Sequence, residues 1–158
     1  MSKLILTGYF GNMASYLVSD ALIASGWKAG QFAMLDESNA GYIGISDGTD
    51  VIGMLVDDPS ELATAPSGSR VTVAKAQGSY LVSHADEVAA GSAVRCYSTG
   101  SGNPESGTLN DLLYVSAAAG PDLAGKLTTD SGSSPVVAVL TQVPSADNDY
   151  TIGFDLRI

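Results

Sequence analysis

The sequence holds one cysteine and one histidine in 158 residues. Cys96 has no partner for an intrachain disulfide, and a zinc site needs several Cys or His ligands. His84 stands in Ser83-His84-Ala85-Asp86, but catalytic triads are assembled from separate parts of a fold. We therefore expect Cys96 to be a buried structural thiol, His84 to lie on the surface, and the protein to assemble in a reducing cytosol. We also expect that the protein is not an enzyme and holds no metal or cofactor.

Basic residues are also scarce, with 7 Lys and Arg against 17 Asp and Glu. A net charge of −10 argues against a nucleic-acid partner, because phosphate binding requires a basic surface. No stretch approaches eighteen consecutive apolar residues, so we expect no membrane span. The start of the chain also lacks the pattern of a signal peptide.

The acidic residues are distributed unevenly along the chain. Residues 29–69 contain no Lys or Arg and seven carboxylates: Asp36, Glu37, Asp47, Asp50, Asp57, Asp58 and Glu61. Their spacing does not match the twelve-residue calcium loop with its closing Glu, and Asp is also a common turn residue. Two interpretations remain: a solvated acidic surface that favours solubility, or an acidic face that meets a basic partner.

From residue 29 onward, short apolar runs separated by Gly, Pro, Asn and Asp predict β-strands. Val51–Val56 is apolar on both faces and predicts a central strand covered on both sides. In Tyr150–Ile158 the apolar residues alternate strictly with Thr, Gly, Asp and Arg, which predicts a strand with one buried face. The other predicted strands are Gln31–Leu35, Tyr42–Ser46, Arg70–Lys75, Ser79–Ser83, Ser92–Ser98, Leu112–Ala117, Lys126–Thr129 and Pro135–Val143. The fold class predicted is mainly β, a compact barrel or sandwich of short antiparallel strands.

The first 28 residues predict an N-terminal arm and one short helix, preceding a β domain of residues 29–158. Apolar residues between Met13 and Ala24 follow a spacing close to 3.6, with Asn12 as the cap and Gly26 after the end. The extended stretch Ser2–Gly11 is either an arm that adds a strand to a neighbour or an edge strand of its own domain. Trp27 is either a core residue or an interface residue.

The β domain contains two similar stretches, residues 29–61 and 90–146. The first opens with Ala29-Gly30, and reaches Gly41, Gly48 and an apolar strand; the second opens with Ala90-Gly91, and reaches Gly125, Gly132 and Val136–Leu140. Each ends in a Pro-Ser loop. A repeated strand–turn–strand module is one explanation, and ordinary reuse of glycine turns by a β protein is the other.

The arrangement Ala90-Gly91-Ser92-Ala93-Val94, Gly125-Lys126-Leu127-Thr128-Thr129, Val136–Leu140 and Asp149–Leu156 resembles small capsid decoration (cement) proteins of tailed phages. The resemblance covers residues 90–158 and is echoed by residues 29–58. It implies a β-rich knob, usually trimeric, that binds the outside of an icosahedral head and clamps neighbouring major capsid subunits without enzymatic activity. It also implies a virion location. The helical region Asn12–Ser25 and the doubled acidic module depart from the pattern.

The interface residues predicted for such a protein are Leu4, Leu6, Tyr9, Phe10, Trp27, Asp57 and Asp58. The partners expected are the major capsid protein and further copies of the chain. Two other functions remain open at this level. One is a tail, baseplate or head-fibre component of the virion, and the other is a carbohydrate- or surface-binding β module that stacks sugars on Tyr9, Trp27, Tyr42 and Tyr97.

Overall fold

The chain folds into two β-sheets in a computed structural model that describes residues 3–6, 13–24, 30–56, 69–75, 78–83, 97–98, 107–116, 125–129 and 135–158. The strands are β1 (Lys3–Leu6), β2 (Met13–Val18), β3 (Phe32–Leu35), β4 (Ile43–Ile45), β5 (Gly53–Leu55), β6 (Ser69–Ala74), β7 (Gly78–Ser83), β8 (Tyr97–Ser98), β9 (Leu112–Val115), β10 (Leu127–Thr128), β11 (Val136–Gln142) and β12 (Thr151–Leu156). One helix, α1, spans Asp20–Ala24, and a 3-10 turn spans Ala146–Asn148.

The larger sheet has the strand order β1-β7-β12-β11-β9-β10-β8, and the smaller has β2-β6-β5-β3-β4. Every strand pair is antiparallel except β10 with β8. The prediction of a mainly β fold with short antiparallel strands is therefore confirmed. Among the described residues, the edges of the smaller sheet meet only at one parallel bridge, Leu17–Tyr42, so the barrel is not closed and the architecture is a sandwich.

The main core lies between the two sheets. Its buried residues come from both sheets: Phe32, Met54 and Ala74 from the smaller, and Tyr80, Leu113, Val115, Leu127, Val137, Ala138, Leu140, Ile152, Phe154 and Leu156 from the larger. The rings of Tyr80 and Phe154 stack with centroids 5.7 Å apart. Burying side chains of this size stabilises a fold by about 1.5–3 kcal/mol each, so this core is what joins the layers.

A second core lies on the other face of the smaller sheet. Strand residues Val18, Ala33, Ile43, Leu55, Val71 and Val73 are buried there with Ile23 of α1. Consecutive residues of β5 serve the two cores, since Met54 belongs to the first and Leu55 to the second. Of the predicted strand 51–56, only Gly53–Leu55 is a strand, but it lies at the centre of the smaller sheet and is covered on both faces as predicted.

The predicted helix over Met13–Ala24 is wrong for its first half. Residues 13–18 form β2 and pair with β6 over six consecutive positions, so the helix contains only Asp20–Ala24. Apolar residues at 13, 14, 17 and 18 fit the helical period, but those at 14, 16 and 18 also fit the strand period of two. Pairing with a distant strand decides between them. Ser19 begins the helix, because its side-chain oxygen accepts a bond from the Leu22 N–H at 3.2 Å.

The predicted N-terminal arm supplies an edge strand to each sheet. Lys3–Leu6 pairs with Ser83–Tyr80 of β7 in the larger sheet, and β2 lies at the edge of the smaller sheet. The boundary at residue 28 therefore does not separate this segment from the β domain. Of the two interpretations of Ser2–Gly11, the structure has the edge strand of its own domain for residues 3–6.

The two sheets contain the same five-stranded unit. In chain order, strands β2 to β6 form the first unit, and β7 with β9 to β12 form the second. In both units the first strand pairs with the fifth, the fifth with the fourth, the fourth with the second and the second with the third. The predicted modules 29–61 and 90–146 lie within these two units.

The registers of the two units also agree. The row Phe32–Met54–Ala74–Met13 crosses the first unit, and the row Leu113–Ala138–Leu156–Gly78 crosses the second. The first three residues of each row lie in the core between the sheets. The units therefore pack against each other through equivalent faces.

Candidate functional site

A cleft of about 330 Å³ lies on the smaller sheet over strands β3 and β4. Met34 and Gly44, which are paired across the two strands, form part of its lining. A Cβ at Gly44 would meet no atom within 4 Å. Four of the seven carboxylates of residues 29–69 lie around the cleft: Asp36, Glu37, Asp47 and Asp50.

The loops at the two ends of β4 bring these carboxylates together. Asp36 begins the β3–β4 hairpin, and its two carboxylate oxygens accept bonds from the Ser38 N–H at 2.8 Å and the Asn39 Nδ2 at 3.0 Å. Asp47 begins the β4–β5 turn, and its Oδ1 accepts bonds from the Thr49 hydroxyl at 2.6 Å and the Thr49 N–H at 2.9 Å. These are the side-chain-to-backbone turns that Asp favours.

These hydrogen bonds keep two carboxylates of the cleft charged. The bond from Asn39 is the main reason that the pKa of Asp36 lies below its usual value of 3.8. The bond from the Thr49 hydroxyl lowers the pKa of Asp47 in the same way. A donated hydrogen bond favours the ionised form, so the cleft remains acidic at neutral pH.

The other two carboxylates, Glu37 and Asp50, have side chains with no hydrogen-bond or ion-pair partner within the described residues. The described residues contain no group of three or more His, Cys, Asp or Glu side chains that could hold a metal ion. An acidic cleft of this kind suits a Lys or Arg side chain, whose aliphatic stem covers apolar lining while the charge reaches a carboxylate.

A second feature is an apolar strip on the outer face of the larger sheet. Leu112 of β9 is 49% exposed and Val136 of β11 is 38% exposed. Val136 pairs with Tyr114, and Leu112 pairs with Val139, both of which are half-buried. Leu109, just before β9, is 55% exposed. An exposed apolar strip on a sheet face is a feature of protein interaction surfaces.

The sequence contains a signal for this strip. Leu112-Leu113-Tyr114-Val115 is apolar on both faces, yet only Leu113 and Val115 are buried in the core. A four-residue run with no polar position has to expose apolar side chains on one side unless a second layer covers it. Burial on both faces is predicted from the sequence only for residues 51–56.

The predicted interface residues are described only in part. Leu4 and Leu6 lie in β1, whose backbone pairs with β7. Tyr9, Phe10, Trp27, Asp57 and Asp58 lie outside the described residues, as do His84 and Cys96. The acidic cleft is formed by other members of the same acidic stretch, and the apolar strip was not predicted.

No helix among the described residues is long and apolar enough to cross a membrane. Comparison with models of protein families finds no match to this chain, and no curated protein is significantly similar to it.

Proposed function

We propose that the chain is a virion structural protein that binds the outer surface of a phage capsid and stabilises it by bridging neighbouring major capsid subunits. The observation that carries the proposal is the exposed apolar strip of Leu112 and Val136 on the outer face of the larger sheet. A stabilising protein acts by burying such surface against its partner, and the proposal includes no chemical step.

Two further features support the proposal. The resemblance of residues 90–158 to capsid decoration proteins implies a β-rich knob, and the described residues form two packed β-sheets. The net charge of −10 and the acidic cleft favour a partner with a basic surface, because complementary charge speeds and orients association.

Co-sedimentation with undecorated phage heads tests the proposal. We expect the protein to pellet with heads and to raise the temperature at which they release their contents. The double variant Leu112→Ser, Val136→Ser should bind roughly tenfold more weakly, a loss of about 1.4 kcal/mol, while its own unfolding midpoint stays close to that of the parent.

Met13→Ser is the matched control, since Met13 is 39% exposed but lies at the edge of the smaller sheet. It should bind heads as the parent does. A protein that does not pellet with any undecorated heads tested contradicts the proposal. Equal losses from the control and the double variant would show that the strip is not the contact surface.

Self-association is the second part of the proposal. Decoration proteins of the type that the chain resembles are usually trimers, so we expect native mass spectrometry to show a trimer of the 158-residue chain. A stable monomer at micromolar concentration contradicts this part. It would favour the surface-binding module, which requires no oligomer.

A further inference from the structure

The larger sheet is a five-stranded unit with one additional strand at each edge: β1 on β7, and β8 on β10. The equivalent of β10 in the smaller sheet is β4, since both are the third strand of their unit. Within the described residues β4 pairs with β3 alone. Its other edge meets β2 only at the bridge from Leu17 to Tyr42, and β2 ends one residue later, at Val18.

On the edge away from β3, β4 presents the backbone groups of Ile43, beside the Leu17–Tyr42 bridge, and of Ile45, beyond it. The Tyr42 carbonyl accepts a bond from the Asp36 N–H at 3.0 Å, and the Ser46 N–H donates to the Phe32 carbonyl at 2.9 Å, both on the β3 side. Backbone groups alternate along a strand, so Ile45 directs its N–H and C=O away from β3. No described residue bonds to them, and Ile45 is half-buried.

The register identifies what binds at the equivalent position in the other unit. Met34 pairs with Gly44 and Val115 pairs with Leu127, so Gly44 and Ile45 correspond to Leu127 and Thr128. Leu127 and Thr128 pair in parallel with Tyr97 and Ser98 of β8. Leu127 and Thr128 are thus paired with an extended segment on this side, whereas the equivalent Gly44 and Ile45 pair there with no described strand.

The side-chain surroundings of the two edges differ in a way that defines the ligand. Leu127 is fully buried in the core, whereas Gly44 leaves open space in the acidic cleft. An added strand that follows β4 runs beside this space and beside Glu37 and Asp50, which have no other partner among the described residues. A cationic side chain complements these carboxylates.

We propose that the β4 edge accepts an extended segment of a partner protein, which adds as a strand parallel to β4 and places a Lys or Arg side chain in the acidic cleft. Strand addition to a sheet edge uses main-chain bonds for affinity and side-chain pockets for specificity. The proposal uses the same acidic cleft that supports the capsid hypothesis, but it does not depend on that hypothesis, because any partner with an extended cationic segment fits the site.

Titration of the full chain with synthetic peptides tests the proposal. The probe is an eight-residue peptide of alternating Val and Arg, and we expect it to bind and to shift the amide resonances of Gly44–Ser46. A peptide of the same sequence with alternate backbone nitrogens methylated keeps its charge but loses main-chain donors. We expect it to bind at least tenfold more weakly.

Variants of the chain locate the site. Gly44→Leu introduces the residue that the other unit has at this position, so it should fill the cleft and weaken peptide binding at least tenfold with an unchanged unfolding midpoint. Glu37→Gln with Asp50→Asn should weaken binding similarly and reduce its salt dependence. Asp147→Asn, an exposed carboxylate elsewhere, is the control and should bind as the parent does.

Three outcomes overturn the proposal. The first is no measurable binding of the Val–Arg peptide, and the second is equal binding of the methylated peptide, which would indicate only attraction to an acidic protein. The third is undiminished binding to the Gly44→Leu variant. Amide shifts confined to residues remote from Gly44–Ser46 would overturn the proposal in the same way as the third outcome, because they would place the peptide elsewhere on the protein.

Discussion

Gly125 lies where the two sheets approach each other closely. Gly125 stands two residues before β10 in the larger sheet, and its carbonyl accepts a hydrogen bond from the N–H of Phe32 in the smaller sheet at 2.8 Å. Its φ of 72° lies in the left-handed region, which other residues adopt at a cost. The glycine at 125 was visible in the sequence as a turn residue, but its contact with the other sheet was not, because that contact joins positions far apart in the chain.

Replacing Gly125 with alanine should destabilise the fold. A Cβ at this position would lie 2.9 Å from the Phe32 carbonyl oxygen and 3.0 Å from Ile45 Cγ2. Backbone strain of this kind costs about 1–3 kcal/mol. Urea unfolding followed by circular dichroism measures the loss. The control is Gly44→Ala, which has free space and should change stability by less than about 0.5 kcal/mol; equal effects from the two variants would contradict the argument.

Tyr80 makes the stability depend on pH at the alkaline end. The residue is 1% exposed and stacks on Phe154, and burial raises its pKa above the usual value of 10.0. The unfolded tyrosine therefore loses its proton at lower pH than the folded one. The contribution of Tyr80 to the free energy of unfolding is fully present below pH 10.0 and falls as the pH rises above that value. The urea concentration at the unfolding midpoint should therefore decline as the pH is raised above 10.0.

Tyr80→Phe isolates this contribution, because phenylalanine keeps the ring and has no ionisable group. Its stability should decline less steeply above pH 10 than that of the parent, whatever the two stabilities are at neutral pH. Parallel curves for the parent and Tyr80→Phe would show that Tyr80 does not govern alkaline unfolding.

At the scale of elements, the sequence predicted most strands because local patterns define them. Residues 151–156 alternate, and Ile152, Phe154 and Leu156 are buried as predicted. Residues 13–18 were wrongly predicted as helix because their apolar spacing suits both a helix and a strand. Their pairing with β6 at six positions makes them a strand. Strand order was not predictable in the same way, since pairing of β2 with β6 depends on residues more than fifty positions apart.

The turn between β11 and β12 depends on one amide side chain. Asn148 Oδ1 accepts bonds from the Ser145 N–H at 2.8 Å and the Thr151 N–H at 3.0 Å, and its Nδ2 donates to the Val143 carbonyl at 2.9 Å. These bonds hold the loop from which β12 enters the centre of the larger sheet. Turns of this type follow from the chemistry of Asn, but the sequence does not show which backbone groups the Asn148 amide reaches.

Asn148→Ala should cost about 1–3 kcal/mol, because it leaves three half-buried backbone groups without partners. Asn148→Asp keeps both accepted bonds but sets a carboxylate oxygen against the Val143 carbonyl, where two acceptors repel, so it should also lower the free energy of unfolding. Asp147→Ala changes an exposed neighbour and should have little effect. Chemical unfolding of the three variants gives the ranking, and a loss for Asp147→Ala as large as that for Asn148→Ala would contradict the assignment.

At the scale of the molecule, the chain is two copies of one five-stranded arrangement with different surroundings. The equivalent rows Phe32–Met54–Ala74 and Leu113–Ala138–Leu156 face a common core. The opposite face is enclosed by α1 in the first unit, where Ile23 is buried, and carries the exposed Leu112 and Val136 in the second. The candidate surfaces thus arise where the two copies differ: the apolar strip on the second unit and the acidic cleft on the first.

This arrangement predicts that the two halves remain associated when the chain between them is cut. The test uses a protease site inserted between Ala76 and Gln77, which follow β6 and precede β7 in the chain, and treatment of the folded protein with the protease. The halves share the core between the sheets, the Phe32–Gly125 bond and the pairing of β1 with β7. Side chains buried at about 1.5–3 kcal/mol each then hold the fragments together.

Native mass spectrometry of the cleaved protein should therefore show both fragments in one particle, and they should separate only in denaturant. Gly125→Ala in the same background weakens a contact between the halves, so its fragments should separate at lower urea than those of the parent. Asp147→Ala lies within one half and should not change that concentration. Fragments that separate in dilute buffer would show that the connection at residues 76–77, rather than the shared core, keeps the two units together.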